Sequence, residues 1–442
     1  MSPAEPSERL GATGWPAWLR QATPHERKTL LAGSLGWLLD AFDVMLYAMV
    51  LAHLIAHFDM DKGRAGLLQS LTLLASAAGG VLFGFLADRV GRTRALMASI
   101  LVYSLASGAC GLARSVFELG LFRFLLGLGM GGEWTTGAAL VAESWRPQHR
   151  GKALALMQSS WAIGEGLAAV VAGLLLGLGS VALAPGLEVP GWRAVFFVGV
   201  LPALLVLWVR RRVAEPEIWR GYRAQSAAAG AKRPVLGQAR AALARLWQPD
   251  LRRNAVIATV MNTATLFGYW GLFTWIPAFL ALPPEQGGRG LTITETTLWL
   301  VVMGVGKWFG YVLFGYAADT AGRRRAYIGY LVAAALLLPV FVALKDPRWL
   351  LVVGPFVAFF GTGYFSGFGA IASELFPTEI RATAMGLTYN LGRAVSAAAP
   401  FLVGTLALAY GLSAALLVTS GAFLLGAVLA SLLPETKGTE LR

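Results

Sequence analysis

The sequence predicts an all-α membrane protein of twelve transmembrane helices, arranged as two pseudo-symmetric six-helix bundles. Three observations carry that expectation. With 56% hydrophobic residues, 14% charged residues and a mean hydropathy of +0.61 over 442 residues, the chain is too apolar for an aqueous protein. Val81 to Ala95 reads VLFGFLADRVGRTRA and Val312 to Ala326 reads VLFGYAADTAGRRRA, with ten of fifteen positions identical at an offset of 231. Glu143 and Arg150 reappear at the same offset as Glu374 and Arg381. Internal duplication of this kind is typical of secondary transporters. The third observation is the placement of the cations, taken up below.

About 20 apolar residues cross the hydrocarbon core. Twelve such stretches are expected, at 30–53, 65–87, 95–113, 117–143, 152–179, 194–209, 254–282, 293–318, 326–344, 349–373, 383–409 and 411–433. They divide the chain into a cytoplasmic segment 1–29, a bundle 30–209, a cytoplasmic linker 210–253, a second bundle 254–433 and a tail 434–442. The first 29 residues show no apolar run ahead of a cleavage site, so no removable signal peptide is expected and the first span stays as a helix. The linker carries eleven Lys or Arg between Arg210 and Arg253, which suits either short amphipathic helices on the membrane face or a solvated basic tether.

The net charge of +13 follows topology. With the N-terminus inside, 27 of the 37 Lys and Arg lie on the inner side, 7 on the outer side and 3 within spans. That bias places both termini in the cytoplasm and removes nucleic acid as the explanation of the charge. Cys110 is the only cysteine, so neither an intramolecular disulfide nor a thiol metal cluster can form. The four His (His25, His53, His57 and His149) are scattered over span ends and loops, and no nucleophile, phosphate loop or metal spacing accompanies them. An enzyme is therefore not expected, and no cofactor or metal is called for.

Seven ionisable residues lie well inside the spans, away from their ends, where each is costly and usually functional. They are Asp40 and Asp43 in span one, Arg123 and Glu133 in span four, Glu165 in span five, Lys307 in span eight and Arg393 in span eleven. Spans three, six, nine and twelve carry none. Asp40 and Asp43 share one helical face, about 4.5 Å apart in rise. Two such carboxylates do not easily hold two negative charges in hydrocarbon, which makes them, with Glu133, candidates for proton coupling. Arg393, near mid-span, offers a planar fork that fits a carboxylate. Arg123 and Lys307 are further candidates for anion binding. Each reads equally as half of a structural ion pair, Lys307 with Glu165 or Asp43. Tyr47 and Tyr389, with Trp134, Trp161, Trp270, Tyr364 and Phe365, are aromatics near these positions that suit substrate contact or helix packing.

The repeated G-x-x-x-D-x-x-G-R-x-R loop, Arg123 with Gly127, and the closing Pro434-Glu435-Thr436-Lys437-Gly438 resemble the signatures of the major facilitator superfamily and its sugar-porter-like branch. That resemblance implies two six-helix bundles about a central cavity that opens alternately to each side, with spans three, six, nine and twelve on the lipid-facing periphery. Asp40-Ala41-Phe42-Asp43 and Gly131-Gly132-Glu133-Trp134 are similar to elements of its proton-coupled symporters of organic acids. The expected function is proton-coupled symport of a small organic anion by a monomer in the plasma membrane. An efflux antiporter of drugs or metabolites is the alternative, although Gly164 to Gly179 lacks the proline that usually closes the antiporter motif. A uniporter or a nutrient-sensing transceptor is a third reading; the cavity carboxylates argue against uniport, and no signalling domain is visible. Asp88 with Arg92, Asp319 with Arg323, Glu143 with Arg150 and Glu374 with Arg381 are the expected gating residues, whose charge pairs lock the halves together in one state and break in the other.

Overall fold

The computed structural model describes residues 15–184, 187–217, 219–221, 244–377 and 380–436. A short helix α1 (Trp15–Arg20) leads into α2 (Pro24–His57), and α3 (Lys62–Val90), α4 (Arg92–Cys110), α5 (Val116–Ser144) and α6 (Pro147–Gly177) follow. A hairpin of β1 (Ser180–Ala184) and β2 (Leu187–Pro190), paired antiparallel with Val181 opposite Val189, precedes α7 (Gly191–Val198) and α8 (Ala203–Arg212). The second half comprises α9 (Pro249–Phe273), α10 (Ile276–Ala281), α11 (Ile293–Ala321), α12 (Arg323–Ala343), α13 (Pro347–Gly363), α14 (Phe365–Leu375), α15 (Arg381–Ser396), α16 (Ala399–Tyr410) and α17 (Leu412–Ser431). Four crossings are thus built from two helices each: α7 with α8, α9 with α10, α13 with α14 and α15 with α16.

Eleven segments among the described residues are long and apolar enough to cross a membrane. The twelfth crossing is α5, whose 29 residues are ample in length; Arg123, Glu133 and a run of glycines dilute its apolar character. Together these make the twelve-helix fold that the hydropathy pattern predicts. The structure departs from a simple set of rods at the breaks. Proline lacks an N–H and its ring clashes with the carbonyl four residues earlier. Accordingly α7 ends at Val198, four before Pro202; α9 ends at Phe273, four before Pro277; α15 ends at Ser396, four before Pro400. The α13–α14 break at Tyr364 has no such proline and follows Gly361 and Gly363 instead.

Helix starts are fixed by side chains that satisfy the free N–H groups of the first turn. Thr23 and Glu26 form a reciprocal capping box at α2, and Thr292 and Glu295 form another at α11. Glu26 also accepts from Arg146 Nε at 2.9 Å, tying the start of α2 to the start of α6. The basic linker is described only at its edges; residues 222–243, where amphipathic helices were expected, lie outside the described residues, as do 1–14 and 437–442.

On the side away from the termini the two halves meet directly. Lys62 Nζ donates to the Gln286 carbonyl at 3.0 Å, and the Phe401 amide donates to Ser70 Oγ at 3.2 Å. These contacts join α3 to the second half along α16, and α6 forms the matching seam with α11. Within the first half α3 and α5 approach closely, because a Cβ at Gly131 would press into the Ser76 carbonyl. Gly131→Ala should therefore lower thermal stability by about 1–3 kcal/mol through overpacking. Gly421→Ala, on a face of α17 open to lipid, should leave the melting temperature unchanged or raise it. Equal melting temperatures for the two variants in detergent would contradict the packing.

Candidate functional site

The buried charges of the first half gather around α2 and α5. Asp40, Asp43, Arg123 and Glu133 are each at most 1% exposed. Arg123 donates from Nη2 to Gln69 Oε1 and lies over the Tyr47 ring, 4.4 Å from its centroid. The Tyr47 hydroxyl donates to the Ala65 carbonyl at 2.6 Å. Tyr47 and Arg123 thus stabilise one another and α3, outside the cavity described below. Asp43 accepts from Ser107 Oγ of α4 at 3.1 Å, so it points into its own bundle. Neither carboxylate oxygen of Asp40 or Glu133 has a hydrogen-bond partner. These two groups act on each other electrostatically, and Asp40 is also reached by Arg393 from the second half.

Between the halves lies a narrow cavity walled by Trp37, Trp161, Tyr269, Trp270, Phe365 and Tyr389. Such largely apolar sites with a few placed polar groups are typical of small-molecule pockets. Arg393 and Gln158 are its polar groups at the wall, together with the Tyr311 side chain. Arg393 is 4% exposed, and among the described residues it has no ion-pair or hydrogen-bond partner. It sits in the last turn of α15, which Pro400 terminates and where unpaired carbonyls favour a cation. Trp134 of α5 stacks on Tyr389 of α15 at 5.2 Å and donates from Nε1 to Gln158 Oε1 at 3.4 Å, closing one end.

A second narrow cavity, lined by Met45, Met49, Phe273 and Met303, holds Glu165 of α6 and Lys307 of α11. The two are paired at 2.5 Å across the halves. Tyr269 donates to Glu165 at 2.7 Å and accepts from Trp161 Nε1 at 2.8 Å, so its hydroxyl stands between the two cavities. Lys307 also lies 3.7 Å from the Phe273 ring centroid. The second of the two expectations for Lys307, neutralisation of Glu165, describes its position here.

The repeated loop produces repeated geometry. Arg92 grips Glu143 with Nη2 at 2.9 Å and Nε at 3.1 Å, and its counterpart Arg323 stands 3.7 Å from Glu374. Each pair joins two helices of a single half, whereas locking of one half to the other was expected. The reason is that each arginine opens a helix, α4 or α12, whose neighbour in the same bundle ends at the glutamate. The side chains of Asp88, Arg150, Asp319 and Arg381 lie outside the described residues. Sequence reasoning overlooked two further participants. Glu215, beyond α8, accepts from the Thr93 and Arg94 amides at 3.1 and 3.2 Å, and Glu435, beyond α17, accepts from the Arg323 amide at 2.9 Å. Gly91, at φ 114°, and Gly322, at φ 103°, leave room for these carboxylates where a side chain would stand. Their common place just after the sixth and twelfth crossings was the available signal.

The comparisons with known proteins agree with this architecture. A family model described as Major Facilitator Superfamily matches residues 33–285 and 278–441. A protein named as a probable 4-methylmuconolactone transporter of Cupriavidus pinatubonensis is 33% identical over 426 residues, covering 96% of this chain and 94% of the relative. The cis,cis-muconate transport protein of Acinetobacter baylyi is 31% identical, covering 91% and 93%. The inward-open xylose transporter XylE from E. coli superposes with a TM-score of 0.72 at 19% identity, over 94% of this chain and 98% of that one.

Arg92→Glu, which sets two acidic groups against each other, should cost about 1–3 kcal/mol of stability. The exchange Arg92→Glu with Glu143→Arg should recover most of it. Thermal unfolding of the three proteins checks this, and an unrecovered double variant would contradict a direct pair.

Proposed function

Since this chain belongs to the Major Facilitator Superfamily and is a membrane transporter, we propose that it carries a small organic anion together with a proton by alternating access. The observation that carries the reading is Arg393, a buried guanidinium without a hydrogen-bond or ion-pair partner among the described residues, in an aromatic-walled cavity between the halves. A cation taken out of water and left unpaired is expensive. A substrate carboxylate supplies two parallel charge-assisted hydrogen bonds and removes that cost. The relatives named for transport of cis,cis-muconate, gentisate and benzoate support an organic anion as the cargo. The density of buried carboxyl groups favours coupling to protons over uniport, and the lack of a proline from Gly164 to Gly179 counts against the efflux-antiport alternative.

The proton resides on the carboxyl groups of Asp40, Glu133 and Asp43. Asp40 and Glu133 are buried without donors, so bearing a proton relieves each of an uncompensated charge. Asp40 is also within electrostatic reach of Arg393, which links the two loads. While substrate is absent, an ionised Asp40 offsets the Arg393 charge. When substrate takes over that task, Asp40 is better protonated, and only the doubly loaded carrier has its charges balanced for the change of state. The inner sides of the bundles form the gate on the cytoplasmic side, and the arginine–glutamate pairs of the repeated loops brace each bundle there from within. The excess of Lys and Arg at that side supports a cytoplasmic location of both termini and insertion in the plasma membrane. The protein acts as a monomer, since each chain carries both halves of the cavity.

Asp40→Asn and Asp43→Asn should abolish accumulation of labelled substrate driven by a pH gradient while leaving exchange partly intact. Arg393→Lys keeps the charge and loses the fork, so substrate affinity should fall about tenfold. Uptake into proteoliposomes with and without a gradient is the measurement. Gradient-driven accumulation that survives in both aspartate variants, or an unaltered affinity in Arg393→Lys, would overturn the respective role.

A further inference from the structure

Glu165 and Lys307 stand one helical turn beyond the walls of the Arg393 cavity. Trp161 and Glu165 are four apart on α6, and Lys307 and Tyr311 are four apart on α11, so each pair shares a face with about 6 Å of rise between its members. Trp161 and Tyr311 line the cavity of Arg393; Glu165 and Lys307 line the next one. The Tyr269 hydroxyl, bonded to both Trp161 and Glu165, stands between the two spaces. A ligand held by Arg393 therefore has a second cation within one turn of its cavity. That cation is already spent, because Glu165 holds it at 2.5 Å.

We propose that Glu165 is a specificity-determining residue: by neutralising Lys307 it leaves Arg393 as the one unpaired cation facing the cavity among the described residues, so the site selects anions with one carboxylate over those with two. This rests on the reading of Arg393 as the substrate's anion site. A monocarboxylate matches the single positive charge, and its remaining body meets the rings and the Gln158 amide. That amide already accepts from Trp134 through its oxygen, which leaves its N–H groups to donate to a neutral ligand oxygen. A second carboxylate placed toward Lys307 meets the Glu165 charge, and like charges at close range in a dry site oppose binding.

The test is calorimetric binding of benzoate and of benzene-1,4-dicarboxylate, which share a ring and differ by one charge, to the full chain in lipid nanodiscs at neutral pH. The wild type should bind benzoate roughly tenfold or more tighter than the dicarboxylate. Glu165→Gln keeps an acceptor for Tyr269 and releases Lys307, so this preference should shrink by about tenfold. Lys307→Gln leaves Glu165 uncompensated and should widen the preference. The double variant should return toward the wild-type ratio. Because the single variants move the ratio in opposite directions, either one that folds decides the matter. Equal wild-type affinities, or a ratio unmoved by these substitutions, would overturn the proposal. Arg393→Gln should weaken both probes. If it leaves benzoate binding intact, or if the wild type binds neither probe, the anion-site reading itself fails and the selectivity falls with it; an effect of Arg393→Gln with an unmoved ratio sinks the role of Glu165 alone.

Discussion

A guanidinium buried between two helix bundles, with no hydrogen-bonded or ion-paired partner among the described residues and only Asp40 within electrostatic reach, is the constraint on which the site turns. Removing a charge from water costs several kcal/mol even after the protein relaxes. The carbonyls at the end of α15 offset at most about 2 kcal/mol of such a penalty. Pro400 makes that helix end possible, because it stops α15 at Ser396, three residues beyond Arg393. The unpaired arginine, the broken crossing and the aromatic walls thus belong to one device. It leaves a cation that Asp40 balances only from a distance and that no side chain among the described residues holds by a hydrogen bond.

The other buried ions are treated differently. Arg123 is held by Gln69 and by the face of Tyr47, and Lys307 is paired with Glu165. Such pairing keeps those cations from competing for an anion. The Glu165–Lys307 pair also bridges α6 and α11, so it helps hold the halves together on the seam that matches the one where Ser70 of α3 meets Phe401 of α16. Closure toward the side away from the termini and shaping of the cavity's charge are therefore two effects of one contact.

Much of this was visible in the sequence, for identifiable reasons. Ions within apolar spans are rare enough that all seven could be named from composition, and the duplicated loop announced that Arg92 and Glu143 would recur as Arg323 and Glu374, though not that they pair with each other. Partner choice was beyond reach, since Lys307 and Glu165 are 142 positions apart and the sequence left Asp43 equally open to Lys307. Tyr47 looked like a cavity aromatic because it follows Asp43 by one turn, yet it packs under Arg123, away from the cavity. The breaks at Pro202, Pro277 and Pro400 were written in the chain, but apolarity runs on unchanged through them and hides the change of helix. The β1–β2 hairpin had no alternation strong enough to mark it, and the capping by Glu215 and Glu435 depends on chain ends meeting in space.

The central claim is that uptake of an organic anion brings a proton with it. Internal pH in proteoliposomes loaded with a trapped pH dye, followed while mono- and dicarboxylates are added outside, tests this most directly. Protein-dependent acidification on adding a monocarboxylate, absent in liposomes without protein, is the result expected from an anion at Arg393 and a proton at the buried carboxyl groups. Alkalinisation on addition would mean proton exchange and would contradict symport, and transport of the labelled acid with no change in internal pH would contradict coupling to protons.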